Sequence, residues 1–164
     1  MNKDLKLEKF TGVAREFCQW AESEFSTDVQ SMQQALELIT RLYLSSVGLI
    51  DELRDVDEAT PSVESTASMR SIIYARASSL PVKYYSEVFN PLLIPAEEPV
   101  IGDLADDIAD IYGDIRRGLN LFEAGYTEQA IWQWLFHMQH HWGEHATSAI
   151  RAIHWYLSEQ HAFM

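Results

Sequence analysis

Apolar residues return at three- and four-residue intervals over most of the chain, the spacing that lines one face of an α-helix. Phe10, Val13, Ala14, Phe17 and Ala21 form the first such row and predict an amphipathic helix over residues 5–25. Ser26-Thr27-Asp28 then offers side-chain oxygens to cap a new helix start. Met32, Ala35, Leu36, Ile39, Leu42, Tyr43, Val47, Ile50 and Leu53 continue the spacing and predict a second helix to Arg54, closed by the acidic run Asp55 to Glu58. All five prolines lie between Pro61 and Pro99, so the middle of the chain is segmented while both ends are free of the strongest helix breaker. Thr60-Pro61 reads as the cap and first residue of a third helix, which must end before Pro81 because the residue preceding proline avoids helical geometry. Val82 to Phe89 is predicted as a short helical piece. Residues 90–100, with three prolines, are predicted as an extended connection that packs Leu92, Leu93 and Ile94 across the helices.

After Gly102, the set Leu104, Ala105, Ile108, Ile111, Tyr112, Ile115, Leu119 and Phe122 predicts a fourth helix. Gly125 suits the left-handed position after a helix end and Thr127 the next cap, which together make a tight helical hairpin. A fifth helix follows to Ser158, with Ile131, Leu135, Met138, Trp142, Ala146, Ala149 and Ile153 as its core stripe. The residues Ala124 to Ile131 resemble the turn inside one tetratricopeptide repeat, but only one copy is present, which favours a bundle over a solenoid. No stretch alternates convincingly as a strand. The expected fold is therefore all-α, a single-domain antiparallel bundle of about five main helices spanning residues 1–164, with the proline-containing connection at about 80–101.

Composition changes this picture only in what it excludes. A content of 47% apolar residues supplies a core for 164 residues. The formal charge of −13 repels phosphate backbones and anionic lipid, so neither nucleic acid nor a membrane surface is an expected partner. Cys18 is the one cysteine, which precludes an internal disulfide, and its place between Phe17 and Trp20 marks it as a small buried apolar residue in a reducing compartment. No secretory leader and no membrane-spanning run is visible, so the expected location is cytoplasmic.

Candidate chemistry is concentrated in the last two predicted helices. Between Glu97 and Asp114 there are seven acids and no base, and Asp103, Asp107, Asp110 and Asp114 share one narrow sector of helix four, beside its apolar face. Acids at i and i+4 repel, and the helix dipole favours carboxylates only in the first turn, so Asp110 and Asp114 call for neutralisation from outside the helix. The sources available are Arg117, an arginine of a neighbouring helix such as Arg70, Arg76 or Arg151, histidines, or a metal ion. The fifth helix places His137, His141 and His145 in a row at i, i+4 and i+8. A turn at Gly125 and Tyr126 sets residues whose numbers sum to about 251 level with each other, pairing Asp114 with His137, Asp110 with His141 and Asp107 with His145. Helical phase alone permits both rows to face the shared groove or both to face solvent. If they face the groove, the pairs either order the imidazoles as a structural ladder or make a divalent-metal ligand set of Asp107, Asp110, Asp114, His137, His141 and His145; imidazole donors suit Zn, Mn or Fe better than Mg.

Other features point to packing or to their own absence. Trp132, Trp134, Trp142 and Trp155 crowd the last helix, and such aromatics mostly serve the core, with Trp132 and Trp155 the two placed to face a partner. There is no nucleophile motif, phosphate-binding glycine loop, dinucleotide fingerprint or His-Glu-x-x-His pair.

The words Leu104-Ala105-Asp106-Asp107-Ile108-Ala109-Asp110-Ile111-Tyr112, Gly118-Leu119, Glu123-Ala124-Gly125, Trp132-Gln133-Trp134, His141-Trp142-Gly143-Glu144-His145-Ala146 and Arg151-Ala152-Ile153-His154 follow one another over about 50 residues, preceded by Phe89-Asn90-Pro91. In order and spacing they resemble the bacterial domain-of-unknown-function family numbered 5063. Gly102-Asp103 stands where that family leads one to expect a serine cap. The resemblance implies an all-helical bacterial protein and carries no activity, catalytic residue or cofactor. The functional expectation is a binding or adaptor module for an unknown protein partner or a homo-oligomer; the alternative is a divalent-metal-binding protein or metal-dependent hydrolase.

Overall fold

A computed structural model describes residues 2–56 and 61–163. Six α-helices dominate: α1 (Lys3–Ala21), α2 (Val29–Leu49), α3 (Ala67–Ala77), α4 (Leu104–Glu123), α5 (Thr127–His140) and α6 (Trp142–Glu159). A 3₁₀ turn, Ile50–Glu52, follows α2, and two short strands, β1 (Tyr84–Glu87) and β2 (Val100–Asp103), lie between α3 and α4. The fold is thus mostly helical with a small antiparallel sheet, which corrects the all-α expectation.

Helix α4 is the hub. It packs against α1, α3, α5 and α6, and it buries Leu104, Ile108, Ile111, Ile115 and Leu119 toward them. Phe10 and Phe17 of α1, Met32 and Leu42 of α2, and Trp134 and Trp142 of the last two helices complete one hydrophobic cluster. Both buried indoles meet their polar demand on backbone: Trp134 Nε1 donates to the Ile115 carbonyl at 3.1 Å and Trp142 Nε1 to the Trp134 carbonyl at 2.8 Å. Gly118 makes the first of these possible, because a Cβ there would lie 2.0 Å from the Trp134 indole nitrogen. Cys18 is fully buried, and burial pushes its thiol up to about 12. Of the other two tryptophans, Trp155 is exposed and reaches Glu159, while Trp132 stacks on Phe136.

Four further expectations are corrected. Residues 82–89 hold a strand rather than a helical piece, because Tyr84 to Glu87 pair in register with Asp103 to Val100, a partner out of local reach. The third helix begins at Ala67, so Pro61 precedes it by a turnless stretch, and Thr60 lies outside the described residues. Helix α2 stops at Leu49, its last predicted turn being the 3₁₀ segment. The single fifth helix is broken in two at His141, whose φ of −154° and ψ of −87° are not helical. Gly143 allows that break: a Cβ there would lie 2.0 Å from the Met138 carbonyl oxygen, so only glycine lets the two helix ends approach so closely. The turn before α5 behaves as expected at Gly125, with φ +90°, whereas the residue preceding the helix is Tyr126 and not Thr127.

Candidate functional site

The acid row and the histidine row face each other across the groove between α4 and the α5–α6 pair. Each aspartate of α4 has found a partner. Asp103 is the helix cap, accepting the Ala105 N–H at 2.9 Å, and it also accepts the Tyr74 hydroxyl at 3.1 Å. It therefore does the work of the serine expected there. Asp106 lies at the exposed rim, 3.6 Å from Arg70 Nη2. Asp107, only 4% exposed, accepts the Tyr85 hydroxyl at 2.6 Å and contacts His145 Nδ1 at 2.8 Å. Asp110, also buried, pairs with Arg70 and lies 3.4 Å from His145 Nε2. Asp114 is shared by two rings, His141 Nδ1 at 2.7 Å and His137 Nδ1 at 3.5 Å.

Neutralisation thus comes from Arg70 and three imidazoles, and among the cations considered from sequence Arg70 is the one that reaches the row; Arg76 is spent on the Glu22 carbonyl. The rungs are shifted from those that a straight hairpin dictates. His137 meets Asp114 as expected and His145 meets Asp107, but His141 meets Asp114 instead of Asp110, and His145 also reaches Asp110. The cause is the break at His141, since level pairing by residue number assumes one unbroken helix.

The electrostatics follow from burial and pairing. Burial raises the Asp107 carboxyl above the usual range, opposed by its hydrogen bonds from His145 and Tyr85. The bond to Asp107 raises His145, against the pull of its own partial burial. His137 is lowered, mainly by burial, although Asp114 draws the other way and His141 and Arg117 add repulsion. Burial, then the bond to Asp107, pushes the Tyr85 hydroxyl up, so it is a fixed donor at any physiological pH.

Donor atoms of two triads converge. In Asp110, His141 and His145, and again in Asp114, His137 and His141, one ligating atom from each residue lies within 4.8 Å of the other two. Asp107 belongs to neither; it orients His145 from behind. The residue that sequence reasoning missed is Tyr85. It reaches Asp107 only because β1 pairs with β2, and its ring lies over Gly102, where a Cβ would sit 2.4 Å from it. No local pattern marks it, since the partner glycine is distant in sequence.

The molecule is a mostly helical protein that seats the carboxylates of one helix against the imidazoles of the next two. No helix among the described residues is long and apolar enough to cross a membrane. The chain belongs to the family described as Domain of unknown function (DUF5063), whose model matches residues 3–159. Its fold is similar to that of the crystal structure of protein BF1032 from Bacteroides fragilis, with a TM-score of 0.73 and 21% identity, covering 91% of this chain and 90% of that one. A comparison with curated proteins found no match.

Proposed function

We propose that this protein binds a divalent transition-metal ion in the groove between α4 and the α5–α6 junction. The observation that carries the reading is the overlap of the two triads on His141, which brings the donors of Asp110, Asp114, His137, His141 and His145 into one neighbourhood. Neutral imidazole with carboxylate is the donor set of Zn, Mn and Fe sites, whereas Mg prefers carboxylate and water oxygens. Asp107 supports the set by holding His145 from its Nδ1, the usual role of a carboxylate behind a ligating ring, and Tyr85 in turn holds Asp107.

Because both triads use His141, the expected content is one ion per chain. His141 and His137 are partly open to solvent, so a bound ion keeps a position for water or an external ligand, which is the requirement for hydrolytic chemistry. The test is elemental analysis of tag-free protein stripped with chelator and reloaded with Zn, Mn or Fe(II), alongside its thermal unfolding. One retained ion and a raised melting temperature that chelator reverses are expected; retention of no ion with an unmoved melting temperature overturns the proposal.

A further inference from the structure

The outer face of the β1–β2 hairpin is apolar and uncovered. Directly opposed residues of an antiparallel pair share a face, so Tyr85 and Gly102 look toward α4 while Tyr84 and Ile101 lie on the other side. Tyr84 and Ile101, with Phe89, Leu92 and Ile94 of the intervening loop, are each between 63% and 88% exposed, and Val100 is exposed beside them. Side chains of this class present ~150–250 Å² each when fully open, so the six together leave roughly 800 Å² bare. That exceeds the ~300–600 Å² typical of the largest apolar patch on a monomer and matches the ~800 Å² that each partner contributes to a standard interface. The chain's accessible surface tells the same story: it is 9264 Å², against about 8,300 Å² from the scaling of folded monomers of this mass.

Charge indicates the occupant. From Tyr84 to Ala96 the only charged residue is Glu87, and it accepts from Ser148 on α6. A chain of net charge −13 repels a copy of itself wherever carboxylates meet, and this stretch lets two copies meet without opposing charges. A basic partner would be drawn instead to the acidic surfaces. The sheet has two strands only among the described residues, and so short a ribbon is marginal unless something packs on it. We infer that a second copy of this chain covers the hairpin, the two outer faces packing against each other about a two-fold axis. This inference is independent of the metal reading.

Light scattering and sedimentation of the full chain over a wide concentration range test it. The wild type has the mass of a dimer at high concentration, and the double variant Leu92→Asp/Ile101→Asp loses at least about 30-fold in dimer affinity. Each single variant shows the same direction, and all keep the wild-type circular dichroism. A monomer at every concentration overturns the inference, as does a dimer that the charged variants leave unchanged. A monomer that sediments with neutral phospholipid vesicles overturns it in favour of a lipid surface.

Discussion

His141 is the only residue common to both donor triads, and its deletion therefore separates a metal site from a row of ordinary ion pairs. If metal is supplied at 100 times its Kd, linkage stabilises the native protein by ~2.7 kcal/mol. For a chain of this length each kcal/mol moves the melting temperature by ~2–4 °C, so loading raises it by roughly 5–11 °C. His141→Ala removes a direct ligand from either triad. A loss of about 100-fold in affinity, the upper range found even for residues that only support ligands, leaves ~0.4 kcal/mol at the same metal concentration. The expected shift then falls to roughly 1 °C. His137→Ala and His145→Ala each spare one triad and retain part of the shift. Scanning calorimetry with metal and with chelator reads all four proteins. A His141→Ala protein with the full wild-type shift refutes the reasoning, because it shows that metal, if bound, sits elsewhere.

Three further outcomes are expected. Tyr85→Phe keeps the ring over Gly102 but removes the donor to buried Asp107, a charge-assisted bond worth ~1.5–3 kcal/mol in urea unfolding; a change below about 0.5 kcal/mol contradicts the contact. In chelator, the raised His145 contributes stability that is full below the unfolded value near 6.5 and fades as pH climbs through the folded value, while the lowered His137 acts oppositely, costing stability as pH falls below that same point. His145→Gln should therefore flatten the alkaline decline in a series of denaturation midpoints, and a decline of unchanged slope assigns it to another group. Gly143→Ala forces a methyl onto the Met138 carbonyl and is expected to destabilise by at least ~1–3 kcal/mol, whereas Gly12→Ala, with open space at its Cβ, should not destabilise.

Helices α1, α2 and α4 were legible because their apolar rows are long and their interactions local, and α4 announced its partners through a charge pattern that helix energetics alone disfavour. The strands were not legible. Tyr84 and Tyr85 pair with Asp103 and Gly102 across a loop holding three prolines, and nothing within a few residues of either strand encodes that match. The break at His141 was hidden for a related reason. His140-His141-Trp142-Gly143 contains no proline, and the close approach of Gly143 to Met138 is visible only in three dimensions. The members of the acid and histidine rows could thus be listed from spacing, while their pairing could not, since the break moves His141 from Asp110 to Asp114. Arg70 was one of several cations within conceivable reach, and only the packing of α3 on α4 selects it.

The phenol of Tyr85 belongs to two neighbourhoods at once: its ring closes the inner side of the hairpin over Gly102 and its hydroxyl grips Asp107 behind His145. Anything that pulls Asp107 toward a ligand tugs on the hairpin, and anything that clamps the hairpin stiffens the support of His145. By thermodynamic reciprocity, whatever one event adds to the affinity of the other is returned in equal measure. One oxygen-to-oxygen contact of 2.6 Å thereby gives the groove and the far surface of the sheet a means of sensing each other.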